Sequence, residues 1–174
     1  VIFDLAPGDD LYIRGPYGNG FPLESFKNKH VVVIAGGTGV APVRSTLKHF
    51  LHHPQDCKDV YAIAGFRDPS HTLFENDLKA FVNAPHFHTT LTLDNGQKEG
   101  FKEGFAMNYV KDIPFQEWGE DYAVIIVGPP VMMKFTAQEC MKYGVQEEHI
   151  YVSFERKMSC ALGKCGHCKI NETY

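Results

Sequence analysis

The stretch that decides the fold is VVVIAGGTGVAPVRSTLKHF, residues 31–50. Its apolar first half predicts a buried strand, and its second half has the apolar spacing of an amphipathic helix. The glycines between them predict a tight turn in which no side chain covers the backbone amides. A helix that begins at such a turn presents N–H groups and the positive end of its dipole to an anion. The predicted phosphate-binding residues are Gly36, Gly37, Thr38, Gly39, Val40, Ala41 and Pro42.

This glycine turn has an alternative interpretation, which is a connection between a strand and a helix that binds nothing. Its spacing fits neither the G-x-G-x-x-G dinucleotide fingerprint nor the P-loop, because the P-loop Lys-Ser/Thr pair is absent. Support for a binding site must therefore come from other parts of the chain.

From His30 onward, strand patterns alternate with helix patterns. Strands are predicted at 31–35, 59–64, 87–93, 122–127 and 149–154, and helices near 40–53, 71–82, 103–110 and 130–143. The alternation predicts an α/β fold with a five-stranded, parallel, doubly wound nucleotide-binding domain. A ligand of such a sheet binds across the carboxyl ends of the strands.

Polar and glycine-bearing segments follow the predicted strands at this edge. Plain turn chemistry and solvated surface charges are the alternative interpretation of each segment. Arg67 and Asp68 leave the choice between a phosphorylated and an unphosphorylated ribose open, because arginine favours the first and aspartate the second. The pair Met132-Met133 favours core packing over cofactor contact. The further candidate binding residues at this edge are Gly65, Arg67, Asp94, Gly128 and Pro129.

Composition and charge exclude several classes of function. The net charge of -4 gives no support for nucleic-acid binding, and no run of eighteen apolar residues predicts a membrane span. The chain begins at Val1 without a signal or transit sequence, so we expect it to be part of a longer protein. Three of the five cysteines crowd into nine residues, which indicates metal binding in a reducing, cytoplasmic compartment.

Residues 1–29 differ in sequence pattern from the rest of the chain. Turn residues separate short alternating runs, as in an antiparallel sheet, so we expect the last strand of a β domain that begins before residue 1. Gly18, Asn19 and Gly20 form either a tight turn or a flexible loop that faces a cofactor.

The C-terminal segment SCALGKCGHCKINETY carries the cysteine motif. Cys160-x4-Cys165-x2-Cys168 has the spacing of plant-type ferredoxins, which predicts ligands of a [2Fe-2S] cluster. Four thiolates are needed, so we expect the fourth ligand to lie beyond Tyr174. A structural zinc site and plain structural thiols are the alternatives. Cys57 and Cys140 are expected to be buried apolar residues.

Together these motifs resemble the ferredoxin-NADP reductase superfamily, in the branch with a C-terminal [2Fe-2S] segment. The strings that carry the resemblance are Gly8-Asp9, GPYGNGF at 15–21, AGGTGVAPV at 35–43, GPP with MM at 128–133, and FERKMSCALGKCGHC at 154–168. Within the branch they are most similar to the corresponding subunit of anaerobic sulfite reductases. The siblings are the electron-transfer subunit of dihydroorotate dehydrogenase and the gamma subunits of hydrogenases.

The resemblance implies three parts. Residues 1–29 would end a truncated FAD-binding β-barrel, 30–156 would form the NAD(P)-binding domain, and 157–174 would be a partial [2Fe-2S] segment. Gly128 and Pro129 would line the nicotinamide pocket, and Glu155 would lie near the flavin and the cluster. The flavin segment of the family precedes residue 1, so FAD binding by this stretch alone is in doubt.

The implied activity is that of an oxidoreductase subunit that passes electrons from NADH through FAD to a [2Fe-2S] cluster. The cluster would pass them to partner reductase and iron-sulfur subunits, with sulfite reduction to sulfide as the expected reaction. Dihydroorotate dehydrogenase or hydrogenase subunits, or a non-catalytic relay module, are the alternatives. NADH is expected over NADPH, partly because of Asp68. No acid-base catalytic set is expected, because flavin chemistry converts a hydride into single electrons.

Overall fold

The computed structural model describes residues 2–13, 15, 20–153, 159–160 and 164–169. The chain divides into two compact units. One is Phe21–Glu155, and the other combines Val1–Gly20 with Arg156–Tyr174. The assignment of functions to residues 1–29, 30–156 and 157–174 stays a prediction.

Phe21–Glu155 contains an α/β fold built on six parallel strands. The strands are β1 His30–Gly36, β2 Val60–Phe66, β3 Phe87–Leu93, β4 Phe101–Glu103, β5 Tyr122–Val127 and β6 Ile150–Val152. The α-helices are α1 Val40–His52, α2 Glu75–Asn83 and α3 Pro130–Lys142. The strand order is β4-β3-β2-β1-β5-β6, so the direction of sheet growth reverses between β1 and β5. The doubly wound fold predicted from the sequence is confirmed.

The central strand β1 is apolar from Val31 to Ala35 because both of its faces are covered. Val31, Val33 and Ala35 join a core cluster that includes residues of α1 and α2. Val32 and Ile34 point to the opposite face and join a second cluster that includes residues of α3. Alternate side chains of a strand point to opposite faces, so a sheet with helices on both sides requires an unbroken apolar run.

Beyond shifts at the ends of elements, one strand and two helices of this unit differ from the prediction. β4 was not predicted, and its three residues pair only with Leu91–Leu93 at the sheet edge. Its sequence, FKE, is too short and too polar to show strand periodicity. The helix predicted near 103–110 is a 3-10 helix, Ala106–Asp112, and the helix predicted from residue 71 begins at Glu75 after a 3-10 turn.

The strand expected in residues 1–29 is absent from the described part of that segment, which contains the 3-10 helices Ile2–Asp4 and Leu23–Phe26. A strand exists only beside a hydrogen-bonded partner strand, and those residues have none among the described elements. No described helix is long and apolar enough to cross a membrane.

Candidate functional site

The glycine turn connects β1 to α1 as the sequence predicts. β1 ends at Gly36, the 3-10 turn Gly37–Gly39 follows, and α1 begins at Val40. Gly37 has a φ of +55°, and no atom lies within 4 Å of the position that a Cβ would take there. This backbone conformation favours glycine, and the space above Gly37 is open.

Gly39 is a glycine for a different reason. A Cβ at Gly39 would lie 2.8 Å from the carbonyl carbon of Val127, which is the last residue of β5. Two neighbouring backbones therefore meet at this point, and no side chain could be accommodated. The sequence motif thus combines a packing glycine with one that faces open space.

A cavity of about 480 Å³ lies at the carboxyl ends of the strands. It is lined by residues at the ends of β1, β2 and β3, at the start of the 3-10 helix Ala106–Asp112, and in the first turns of α3. The predicted site residues that line it are Gly36, Gly37, Gly65, Arg67, Asp94 and Pro129. The parallel register explains this grouping, because Gly36 pairs with Gly65 and Phe66 pairs with Leu93, next to Asp94.

The remaining predicted residues lie elsewhere. Thr38, Gly39, Val40, Ala41 and Pro42 follow Gly37 along the chain but do not line the cavity. Gly128 lies beside it, since it precedes Pro129 and packs near the backbone of Gly36. Gly20 is exposed in the other unit. Gly18, Asn19 and Glu155 lie outside the described residues, and the binding roles of all these residues stay predictions.

The cavity has an apolar wall that was not predicted from the sequence. This wall is formed by Phe105, Ala106, Met107, Val131, Met132 and Phe135. Val131 and Phe135 are spaced i, i+4 on α3, and they leave 67% and 49% of their surfaces exposed. That spacing was available in the sequence. Their exposure depends on tertiary packing, because the opposite face of α3 supplies the core residues Met133, Thr136 and Cys140.

Two carboxylates near the strand ends have different surroundings. Burial raises the pKa of Asp94, which lies in the cavity. Hydrogen bonds from Ser70 and a contact with His71 lower the pKa of Asp68 to about 2. Asp68 Oδ1 lies 2.6 Å from Ser70 Oγ and 2.9 Å from His71 Nδ1, so this oxygen caps the turn Pro69–His71. Asp68 is outside the cavity lining, and the carboxylate at the site is that of Asp94.

The three clustered cysteines belong to the second unit. Cys165 is exposed, and hydrogen bonds with the backbone of His167 and with Cys160 lower the pKa of its thiol. Iron is bound by thiolates, so Cys160 and Cys165 fit two cluster ligands. No three His, Cys, Asp or Glu side chains within the described residues are grouped to hold one metal ion. The [2Fe-2S] cluster therefore stays a prediction.

The two isolated cysteines behave as expected from the sequence. Cys57 and Cys140 are buried, with 7% and 0% of their surfaces exposed. Burial raises the pKa of Cys57 to about 11 and that of Cys140 to about 12, so both stay protonated near neutral pH. They are apolar core residues.

Comparison with protein families matches residues 33–138 to the oxidoreductase NAD-binding domain. The chain belongs to this family. The match covers the glycine turn, the strand ends that line the cavity and the first two turns of α3. The presence of an NAD-binding domain in the chain is thus confirmed, and its predicted bounds of 30–156 stay a prediction.

Several relatives of this chain are named as enzyme subunits. The chain is 31% identical to sulfhydrogenase 1 subunit gamma of Pyrococcus furiosus, over 98% of the chain and 59% of the relative. It is 32% identical to a probable dihydroorotate dehydrogenase B (NAD(+)) electron transfer subunit of the same organism, over 97% and 59%. The chain spans about three fifths of the length of these curated relatives.

Solved structures show the same fold. A ferredoxin NADP+ reductase from Neisseria gonorrhoeae with bound FAD and NADP superposes with a TM-score of 0.62 at 21% sequence identity. The alignment covers 78% of this chain and 60% of that one. The fold of the NAD-binding domain is therefore that of ferredoxin-NADP reductases.

Proposed function

We propose that this chain is the NADH-binding part of an electron-transfer subunit in a multi-subunit oxidoreductase. The observation that carries the proposal is the open cavity at the reversal point of the sheet, with Gly37 uncovered at its edge. Open α/β sheets bind dinucleotides at this place. The family match supports the nicotinamide dinucleotide as the ligand.

Each part of the site has a role in this proposal. The backbone at Gly37 and the N-terminus of α1 receive the pyrophosphate, because amides and the helix dipole both favour an anion there. Gly36, Gly128 and Pro129 bound the pocket for the nicotinamide ring. The apolar wall around Phe105 and Phe135 excludes water from the bound ring.

Asp94 supports NADH over NADPH. Asp94 lines the cavity, and its carboxyl group is able to accept hydrogen bonds from ribose hydroxyls. When ionised it repels a 2′-phosphate. The expected preference for NADH therefore depends on Asp94, whereas the sequence had suggested Asp68.

The other cofactors belong to the proposal through the family resemblance. When bound, FAD would accept a hydride from NADH and deliver single electrons, which is the chemistry that a [2Fe-2S] cluster requires. Cys160, Cys165 and Cys168 would hold that cluster together with a fourth ligand. Contacts of Gly18, Asn19, Gly20 and Glu155 with the flavin remain predictions.

The names of the relatives favour a hydrogenase or dihydroorotate dehydrogenase type of subunit. The sequence-based expectation of an anaerobic sulfite reductase subunit stays a prediction, as does transfer of electrons to sulfite. Partner subunits that copurify with the native-length protein distinguish the three types.

The proposal is tested by absorbance and EPR spectra of the native-length protein, purified anaerobically, before and after addition of NADH. We expect flavin bleaching and a cluster signal that grows on reduction. Absence of flavin absorbance together with failure to reduce a dye with NADH contradicts the proposal and favours a non-catalytic relay module.

A pair of variants tests the role of Asp94. Asp94→Asn should weaken NADH binding about threefold to tenfold, because a hydrogen bond to a charged acceptor is replaced by a weaker one. Asp121→Asn is the matched control. Asp121 precedes β5, at the amino ends of the strands and away from the cavity, and pairs with Lys58. Equal NADH affinity of both variants, measured by titration calorimetry, contradicts the role given to Asp94.

A further inference from the structure

The two adjacent methionines at the start of α3 have different environments. Met133 is buried in the core, with 4% of its surface exposed. Met132 is half-buried and lines the cavity. Successive helical residues point about 100° apart, so only one of the two contributes fully to the core. The sequence-based expectation of core packing is confirmed for Met133 and incomplete for Met132.

The thioether of Met132 fills the side-chain space of two glycines at once. A Cβ on Gly128 would lie 2.6 Å from Met132 Sδ, and a Cβ on Gly36 would collide with the same sulfur and lie 3.2 Å from Met132 Cε. Gly36 ends β1, and Gly128 follows the end of β5. We call this place, between Gly36 and Gly128, the switch-point crevice. It is occupied by a side chain of the protein itself.

Gly37 provides the contrast within the same cavity. Nothing lies within 4 Å of the position of its missing Cβ, so the proposed pyrophosphate site is open. A dinucleotide could therefore place its phosphates at Gly37 without any rearrangement. Its nicotinamide ring would meet Met132 in the switch-point crevice.

We propose that Met132 is a displaceable gate over the switch-point crevice and that it withdraws to admit the nicotinamide ring. This inference rests on the proposed function, because it requires a dinucleotide at the site. Methionine suits the role, since its unbranched side chain has three rotatable bonds and packs well in alternative positions. Val131 and Phe135 border the same cavity and provide apolar surface for the displaced side chain.

A closed gate lowers the apparent affinity for the ligand that must open it. The binding-competent state is only part of the population, so the observed dissociation constant rises by the inverse of that fraction. Removing the thioether abolishes this cost for a ligand that carries a nicotinamide ring. A ligand without the ring, such as ADP-ribose, does not require the gate to open.

The test compares NADH with ADP-ribose on the native-length protein by titration calorimetry. Met132→Ala should bind NADH about threefold to tenfold more tightly than the wild type and should bind ADP-ribose with unchanged affinity. Met141→Ala is the matched control, because Met141 is an exposed methionine in the last turn of α3 and does not line the cavity. It should change neither affinity.

A second measurement follows the side chain directly and does not depend on a variant. In protein labelled with 13C-methyl methionine, the Met132 methyl resonance should shift on addition of NADH and stay in place on addition of ADP-ribose. The Met141 resonance should stay in place with both ligands. A Met132 resonance that is insensitive to NADH overturns the gate.

The outcomes separate this inference from the proposed function. If the wild type binds NADH and Met132→Ala binds it equally well or more weakly, the gate is refuted. The proposed function then still stands. Equal tightening of NADH and ADP-ribose also refutes it. If neither the wild type nor Met132→Ala binds either ligand, the proposed function is wrong and the proposal of a gate is wrong as well.

Discussion

Gly37 offers the sharpest test of the proposed dinucleotide site. In Gly37→Ala the new Cβ meets no protein atom within 4 Å, so the substitution creates no clash in the unliganded protein. The φ of +55° is nevertheless unfavourable for alanine. That conformation costs roughly 1–2 kcal/mol of folding stability.

The effect on binding is separate from the effect on stability. The Cβ would stand in the open space proposed for the pyrophosphate and hold a phosphate away from the backbone amide. Losing one hydrogen bond to a charged group costs roughly 1.5–3 kcal/mol, so the affinity for NADH and for ADP-ribose should fall about tenfold to a hundredfold.

Gly119 provides a matched control for the backbone strain. It has a φ of +60°, no atom within 4 Å of its missing Cβ, and a position outside the cavity lining. Urea unfolding of the native-length protein should show similar losses of stability in Gly37→Ala and Gly119→Ala. Calorimetry should show weakened dinucleotide binding only in Gly37→Ala. If Gly37→Ala loses stability but binds NADH within twofold of the wild type, the pyrophosphate does not lie at this turn.

Two further predictions concern protonation. Burial lowers the pKa of His30 below 6.5, and its ring stacks on Trp118 at a centroid distance of 4.4 Å. The unfolded chain therefore binds this proton more readily, so stability should fall as the pH drops below about 6.5, and His30→Gln should remove that part of the pH dependence. Fluorescence of Trp118, the single tryptophan, should titrate over the same range, and an unchanged pH dependence in His30→Gln would show that other groups cause it. In protein without a cluster, Cys165 should react with iodoacetamide at mildly alkaline pH well before Cys57 and Cys140, because its pKa is lowered and theirs are raised. Peptide mapping by mass spectrometry checks this order. Faster labelling of Cys140 than of Cys165 would contradict the lowered pKa of Cys165.

Much of the fold could be predicted from the sequence because its determinants are local. The strands at 87–93 and 122–127 are observed with the predicted bounds. The second is an unbroken apolar run, which specifies a strand buried on both faces, and the first is rich in threonine, which favours strands. The glycine turn likewise appears between β1 and α1 as expected. β4 could not be predicted, because its three residues, FKE, are too few to show a strand pattern. They become a strand only because the edge of β3 is available as a partner.

The sequence by itself determined the alternation of strands and helices, the turn at 36–39 and the placement of Gly65, Arg67 and Asp94 at strand ends. Periodicity and turn chemistry depend on residues that are close in sequence, so these features can be predicted from the sequence alone. Tertiary structure alone decided that Phe105 and Phe135 form one apolar wall and that Met132 covers Gly36 at the end of β1. Those contacts join residues far apart in sequence, and their physical origin is the packing of α3 and the 3-10 helix Ala106–Asp112 against the sheet.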